Sequence, residues 1–205
     1  MRAWYPTGHV VQNDVRVMTA RDIDDVVKLQ VAFLDGSLVT DLGTTFLRSF
    51  HRAALEHPDT RAFVATFQGA VAGLAIGSLD VARFNAHVRP RIVPSLVAAI
   101  AAPRRWRLGL AIAKSLFEQK PQPPIPAELL LLVVDEGVRR HGLGRALLAR
   151  LEAAFADAGV TRYRVAVRSH LAVARAFYAR IGFDFEQELS VLGQPMVYLT
   201  KHVGR

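Results

Sequence analysis

The sequence predicts an α/β or α+β fold, in which strands and helices alternate along the chain and share one sheet. Three observations predict it. The 205 residues are the length of one ordinary domain, and 51% of them are hydrophobic while 21% are charged, which is typical of a globular protein with a full core. Short alternating or continuous apolar segments predict strands. Longer segments between them carry apolar residues at helical spacing and end at glycine or proline, which predicts helices.

The first part of the chain is predicted to fold in the order β-α-α-β-β. Thr19 is the expected N-cap of the first helix, because Asp22 stands three residues later as in a capping box. Gly36 ends that helix, and Pro58 closes the second one. Two glycines within the last of these strands indicate a bulge or a close approach by another group. The predicted elements are a strand beginning at Val15, helices over 23–34 and 41–56, and hairpin strands over 62–67 and 70–79.

Residues 81–126 interrupt this pattern and are predicted to be a helical insertion. Two helices are expected, over about 93–102 and 104–119, because Pro103 separates two helical stretches. A proline-rich, extended spacer over 121–126 then leads back to the sheet. A segment of roughly 40 residues does not bury a core alone, so we interpret it as an insertion into the domain.

The last part of the chain is predicted to continue as β-α-β-α-β-β. The near-continuous apolar run over 128–134 is typical of a central strand that is covered on both faces. The strand, helix and strand that follow predict at least one right-handed β-α-β crossover. The predicted elements are a helix ending at Gly159, a strand over 162–167, a helix over 171–181, and closing strands over 183–187 and 196–201.

Composition excludes several classes of function. The chain has no cysteine, which excludes disulfides, thiolate metal sites and a cysteine nucleophile, and no metal site is predicted. The longest apolar run, over 92–102, is about half the length of a bilayer span. Residues 1–13 lack the apolar block of a secretory signal, so we expect a cytoplasmic protein. The net charge of +8 comes mostly from scattered arginines and is compatible with nucleic acid, an anionic membrane or a polyanionic small ligand such as a nucleotide as the partner. Of these, nucleic acid is not the partner that we expect.

The stretch most informative about chemistry is the loop Arg139-x-x-Gly142-x-Gly144, which connects the central strand to a helix. The first amides of a helix have no intrahelical acceptor, and the helix dipole places partial positive charge there. The two glycines let the main chain approach a ligand closely. Arg140 and Arg145 add positive charge nearby. The loop is therefore predicted to bind an anion such as a pyrophosphate.

This strand, loop and helix resemble the acyl-CoA binding motif of the GNAT superfamily of N-acyltransferases. A second motif, Ala174-x-x-Phe177-Tyr178-x-x-x-Gly182-Phe183, resembles that superfamily's other signature. The resemblance covers roughly residues 15–79 and 128–201 and leaves the insertion outside. It implies a single GNAT-like domain of 205 residues. The implied sheet is mixed, mostly antiparallel and twisted, with six or seven strands, helices on both faces and the helical insertion before the central strand.

The resemblance implies acetyl-CoA as the cosubstrate. The main chain of the central strand is expected to pair with the pantetheine amides, and the amides of the loop are expected to hold the pyrophosphate. The implied cofactor-binding residues are Val133, Val134, Arg139, Arg140, His141, Gly142, Leu143, Gly144, Arg145 and Ala146.

The resemblance implies that Tyr178 protonates the departing thiolate. A main-chain N–H near Val134 is the expected donor to the developing oxyanion. Glu128 and Asp80 are the candidates for the general base, and the alternative is a water relay, with both residues as solvated strand ends. Alternation along the central strand predicts that Glu128 shares a face with Leu130, Leu132 and Val134, and members that use a glutamate on this strand often place it where Leu130 stands. Asp80 ends the preceding strand and is expected to lie across from Glu128.

The expected acceptor is the primary amine of a small molecule, with an amino sugar as the leading example. Attack is expected to be direct, in a ternary complex, because no thiol is present to form an acyl-enzyme. Two alternatives stay open: an acetyltransferase of RNA-linked amines such as a charged tRNA, and a protein that binds acyl-CoA without catalysis.

The first helices and the insertion are expected to build the acceptor site. A basic cluster around Trp106, formed by Arg104, Arg105 and Arg107, offers contact with an anionic membrane surface. A hydrophobic wall or a homodimer contact is the alternative role of this part of the insertion. The candidate acceptor-site residues are Asp35, Ser37, Arg83, His87, Arg89 and Trp106.

Overall fold

The computed structural model describes residues 14–34, 40–101, 125–191 and 194–204. These residues form seven strands and five α-helices. In chain order the elements are β1 (Asp14–Val17), α1 (Ile23–Phe33), α2 (Thr44–Glu56), β2 (Thr60–Phe67), β3 (Ala70–Ser78), α3 (Val81–Ala101), β4 (Glu128–Val134), α4 (Leu143–Asp157), β5 (Arg162–Arg168), α5 (Ala172–Arg180), β6 (Asp184–Val191) and β7 (Gln194–His202).

All seven strands belong to one sheet in the order β1-β2-β3-β4-β5-β7-β6. Only β4 and β5 run parallel, and α4 makes the connection between them. Every other neighbouring pair is antiparallel. The predicted mixed, mostly antiparallel sheet and the predicted order of elements are confirmed.

Helices cover both faces of the sheet, as predicted. On one face α4 and α5 enclose a core with β2–β5 and β7, and α4 contributes Leu147, Leu151 and Phe155 to it. On the other face α1 and α2 pack on β2–β4. The glycines of β3 admit α4: a Cβ at Gly77 would stand 2.6 Å from Cζ of Phe155. The predicted close approach at this strand is confirmed.

The insertion differs from its prediction. The described part is a single helix, α3, that begins at Val81 and runs through Pro90 and Pro94. Each proline removes one main-chain donor, but the helix buries a continuous apolar stripe against α2, and that packing outweighs the loss. The prediction of a separate helix over 93–102 was therefore wrong. Pro103, the helix over 104–119 and most of the proline-rich spacer lie outside the described residues.

Candidate functional site

The two central strands separate within the sheet. Glu128 pairs with Arg164 and Leu129 with Val165, and within the described residues no later residue of β4 pairs with β5. On its other edge β4 stays paired with β3 as far as Val134. The main chain of β4 beyond Leu129 therefore has one edge without a strand partner. Leu131, Leu132 and Val134 are only half-buried, although the sequence predicted a strand covered on both faces.

A bulge in β4 changes which side chains share a face. Ile76 pairs with Leu131 and Gly77 with Leu129, so Leu130 is an extra residue on β4. Leu132 and Val134 pack with α4 and α5, whereas Leu130 packs with the helices on the opposite face. The predicted common face of Glu128, Leu130, Leu132 and Val134 was therefore wrong, because strict alternation fails at a bulge.

The loop after β4 turns tightly before α4 begins. Oδ1 of Asp135 accepts a hydrogen bond of 2.7 Å from the Gly137 N–H. Arg140 and Gly142 both have positive φ, at 70° and 79°, a left-handed conformation that costs least at glycine. Gly142 is the N-cap of α4 and carries no side chain to cap it. α4 therefore begins directly after this loop, and no side chain of the described residues caps the first amides of the helix.

Fewer main-chain amides are available in the loop predicted to bind an anion, hereafter the anion cradle, than the sequence suggested. The Ala146 N–H donates to the Gly142 carbonyl (2.9 Å), and the Arg139 N–H donates to the Glu136 carbonyl (3.3 Å). These two amides are therefore engaged, which corrects the predicted span of Arg139 through Ala146. The side chain of Leu143 is buried in the core. Of Leu143, the main-chain N–H alone is a candidate ligand. The residues that stay candidates for the predicted anion cradle run from Arg140 to Arg145.

The cradle lies beside the open edge of β4. A Cβ at Gly142 would meet nothing within 4 Å. A Cβ at Gly144 would stand 3.7 Å from Cγ2 of Val134 and 3.5 Å from Cζ of Phe177. The start of α4 therefore faces the end of β4 and the helix that carries the second motif. Arg140, His141 and Arg145 are exposed around it, and Arg139 forms an exposed ion pair with Glu136.

Tyr178 lies on α5 and is buried with Phe177 and Phe183, whose ring centroids stand 5.4 and 5.0 Å from its own. Burial raises the pKa of the Tyr178 phenol, so the hydroxyl stays protonated at neutral pH. A protonated phenol can donate a hydrogen bond or a proton.

Glu128 lies where β4 and β5 begin to separate, on the face opposite α4 and α5. Its Oε2 accepts hydrogen bonds from Arg164, at 2.9 Å from Nε and 2.8 Å from Nη2. Both side chains are buried. Burial raises the pKa of Glu128, and the Arg164 guanidinium opposes that rise. The guanidinium carbon of Arg164 stands 4.0 Å from the centre of the Tyr198 ring.

Asp80 does not lie across from Glu128. Ser78 occupies that position on β3. Oδ1 of Asp80 accepts hydrogen bonds from the main-chain N–H groups of Ala82 (2.9 Å) and Arg83 (3.0 Å), so Asp80 caps α3. The prediction that Asp80 faces Glu128 was wrong, because the chain leaves the sheet two residues before it.

The described members of the predicted acceptor site, Arg83, His87 and Arg89, lie on α3. Arg83 forms an ion pair with Asp59 (2.9 Å), and the ring centroid of His87 lies 4.8 Å from that of His57. Asp35, Ser37 and Trp106, with the basic cluster around Trp106, lie outside the described residues. Sequence reasoning missed Arg164 and Tyr198. The signal available was an arginine that alternates with apolar residues in a strand predicted to neighbour the central one.

No helix of the described residues is long and apolar enough to cross a bilayer. No group of three or more histidine, aspartate or glutamate side chains in the same ranges is placed to hold a metal ion.

Comparison with solved structures gives the same fold. The ribosomal-protein-S18-alanine N-acetyltransferase from Escherichia coli is 16% identical, with 95% of this chain and 96% of that chain covered and a TM-score of 0.59. PaiA N-acetyltransferase from Thermoplasma acidophilum in complex with coenzyme A is 13% identical (93% and 99% covered, TM-score 0.56). Chaetomium thermophilum Naa20 in complex with a bisubstrate analogue is 20% identical (94% and 87% covered, TM-score 0.59).

Sequence comparison identifies the family. No curated protein sequence matches the chain. The model of the Acetyltransferase (GNAT) family matches residues 31–183, which include both motifs, the separating strands and the cradle. The chain therefore belongs to the Acetyltransferase (GNAT) family and is an acyl-CoA-dependent N-acetyltransferase that uses acetyl-CoA.

Proposed function

We propose that this enzyme transfers the acetyl group of acetyl-CoA to the primary amine of a small polar molecule, with an amino sugar as the leading example. One observation carries the proposal: the unpaired edge of β4 beyond Leu129 leads directly to the start of α4. The gap along the unpaired edge of β4, hereafter the slot, is followed directly by the anion cradle. This arrangement suits a ligand with an extended arm that contains amides and ends in a diphosphate.

The residues around the slot fit this cosubstrate. The main chain of Val133 and Val134 pairs with the amides of the pantetheine arm, as an added strand would. The N–H groups of Leu143, Gly144 and Arg145 have no acceptor within α4 and bind the diphosphate. Arg140 and Arg145 add positive charge at the same end. Acetyl-CoA supplies a thioester, which is already activated for attack by an amine.

Glu128 is the proposed general base. An ammonium group has no lone pair, so the acceptor loses a proton before it attacks. Glu128 directs Oε2 at Arg164, and within the described residues no hydrogen bond is found to its Oε1. Oε1 receives the proton, directly or through a water molecule. Burial makes this carboxylate a stronger base than an exposed one.

Tyr178 is the proposed general acid. Its hydroxyl has no hydrogen-bond partner within the described residues and carries its proton at neutral pH. A main-chain N–H of β4 beyond the bulge donates to the oxygen on which negative charge develops. The nitrogen gains a positive charge on attack and releases its second proton to solvent. Tyr178 Oη then gives its proton to the sulfur as the bond from carbon to sulfur breaks, and solvent returns a proton to the tyrosinate. Proton removal and proton supply therefore come from opposite faces of the sheet.

A carboxylate near Tyr198 supports a small polar acceptor. Glu186 of β6 has a buried Oε2 without a partner within the described residues. An acceptor oxygen of this kind suits a ligand with ammonium and hydroxyl groups. The similar structures favour a second candidate, because one is named for the alanine of ribosomal protein S18. That candidate is the N-terminal amine of a protein.

A panel of amines, monitored by release of free thiol from acetyl-CoA, tests the proposal. It contains amino sugars, polyamines, amino acids, peptides with an N-terminal alanine, and a charged tRNA. Turnover is expected with an amino sugar and is expected to fall in Glu186→Gln. Turnover only with peptides would replace the small molecule by a protein N-terminus. Acetyl-CoA binding without turnover on any member would support the non-catalytic alternative.

A further inference from the structure

We propose that Arg164 is a positioning residue: it fixes the Glu128 carboxylate at the point where the central strands separate, with Oε1 directed to the acceptor. The inference rests on the proposed function, because it takes Glu128 as the base. It adds a residue that neither motif contains.

Arg164 contacts one of the two carboxylate oxygens of Glu128. Nε and Nη2 of Arg164 both donate to Oε2 of Glu128, at 2.9 and 2.8 Å. The guanidinium therefore holds one carboxylate oxygen through two hydrogen bonds and leaves the other for a second partner. A carboxylate bound through both oxygens would be a poorer proton acceptor, since each lone pair in use lowers its basicity.

Arg164 is itself held in place. Its side chain is only 6% exposed, and its guanidinium lies over the Tyr198 ring at 4.0 Å. Its backbone N–H donates to the Ala127 carbonyl (3.1 Å), so β5 is fastened to the chain just before Glu128. The planar guanidinium stacks on the ring and pairs with the carboxylate at the same time, and a lysine ammonium reproduces that combination only in part.

The ion pair between Glu128 and Arg164 lies at the closed end of the gap between β4 and β5. Glu128 and Arg164 are partners across β4 and β5, and the pair after them is the last between these strands. A base fixed at this position lies beside the closed end of the slot, where the reactive end of an arm entering from the cradle would stop. Arg164 thus links the position of the base to the position where the strands part.

The groups around Glu128 set the expected pH dependence. Arg164 of β5 lowers the pKa of Glu128, and burial raises it. Tyr198 of β7 lies against Arg164. Burial raises the pKa of the Tyr198 phenol, and the carboxylates of Glu128 and of Glu186 on β6 add to that rise. On β3 the opposite residue is the uncharged Ser78, and beyond it Asp80 is committed to the cap of α3. Arg164 is therefore the cation that controls the protonation of Glu128.

The pH profile of kcat/KM distinguishes a positioning role of Arg164 from a purely structural role. In Arg164→Gln the acid limb is expected to move to higher pH by about 1–3 units, because the carboxylate loses its neighbouring cation. The kcat at neutral pH is expected to fall about 10- to 1000-fold. KM for acetyl-CoA should stay within about twofold, and Arg164→Lys should lie between wild type and Arg164→Gln. Arg162→Gln, which changes an exposed arginine on the same strand, should keep the wild-type profile.

A double-mutant cycle covers the case in which Arg164→Gln unfolds. Arg164→Lys keeps the charge, and once Glu128→Gln has removed the base, Arg164→Lys should cause no further loss of kcat. An unshifted acid limb in a folded Arg164→Gln, or an equal loss of kcat from Arg164→Lys in both backgrounds, would overturn the inference. Wild-type kcat in Glu128→Gln would overturn the base assignment and this inference together. Failure of the wild type to bind acetyl-CoA would instead overturn the proposed function.

Discussion

Leu129 pairs with Val165, and beyond this pair β4 and β5 have no further pairing within the described part of the chain. The chemistry proposed for this enzyme depends on that separation. Val134, five residues later on β4, lies beside Gly144 at the start of α4. The open edge of the strand and the uncapped end of the helix are therefore parts of one site.

Replacement of Tyr178 by phenylalanine is expected to reduce kcat by about 100- to 10,000-fold, because the leaving sulfur loses its proton donor. Stability should change little, since the hydroxyl has no partner within the described residues and the ring contacts with Phe183 remain. Steady-state kinetics and thermal unfolding measure the two effects. A Tyr178→Phe enzyme with wild-type kcat at saturating acceptor would show that another group supplies the proton.

Asp22 anchors the first turn of the helical layer. Its carboxylate accepts two hydrogen bonds from Arg16, at 2.8 and 2.6 Å, and one from the Thr19 N–H at 2.8 Å. Asp22→Asn is expected to lower the free energy of unfolding by about 1.5–3 kcal/mol, as measured by urea unfolding at pH 7. Asp25→Asn, which changes an exposed carboxylate of α1, should stay within about 0.5 kcal/mol of wild type.

The contribution of Asp22 should depend on pH. Arg16 holds the pKa of this carboxyl well below its ordinary value of 3.8. A lowered pKa stabilises the folded state above the unfolded-state pKa, and the stabilisation is lost as the pH falls below it. The difference between wild type and Asp22→Asn is thus expected to shrink below about pH 4. A difference that grows on acidification would contradict the assigned ion pair.

His51 is fully buried between α1 and α2, where its Nε2 lies 2.8 Å from Oε1 of Gln30. Burial lowers the pKa of His51 from 6.5 to about 4. Between these values the unfolded chain binds a proton that the folded chain does not, so stability falls as the pH is lowered. The loss should approach about 3 kcal/mol relative to His51→Gln, since each pKa unit corresponds to about 1.4 kcal/mol. Urea unfolding of wild type and His51→Gln at pH 7 and pH 4.5 measures this loss. An equal change in the free energy of unfolding of the two proteins would show that His51 is accessible to protons in the folded state.

The local parts of the site could be predicted from the sequence, and the long-range parts could not. The glycines of the cradle and Tyr178 stand in motifs whose spacing fixes their place on one helix or loop. The capping relation of Thr19 and Asp22 was equally local and is confirmed. These features depend on contacts between residues close in the chain.

The misses share one physical origin, which is contact between residues distant in the chain. The bulge at Leu130 is defined only by the partners of its neighbours on β3, and it moved Leu132 and Val134 to the other face. Asp80 does not lie across from Glu128, because β3 ends at Ser78. The pairing of Glu128 with Arg164 joins residues 36 positions apart, which no local pattern encodes. The course of α3 through its two prolines likewise depends on packing against α2.

The most direct test of the account is calorimetric titration of acetyl-CoA into wild type, Gly142→Asn and Gly142→Asp. Asparagine and aspartate both tolerate the positive φ of Gly142, so the two variants carry similar backbone strain and differ in charge. Wild type is expected to bind with micromolar affinity, and asparagine is expected to weaken binding modestly. Binding with aspartate should be at least about tenfold weaker than with asparagine, because a negative charge then faces the diphosphate. Equal affinities of the two variants, or no binding by the wild type, would contradict the claim that the start of α4 holds the coenzyme.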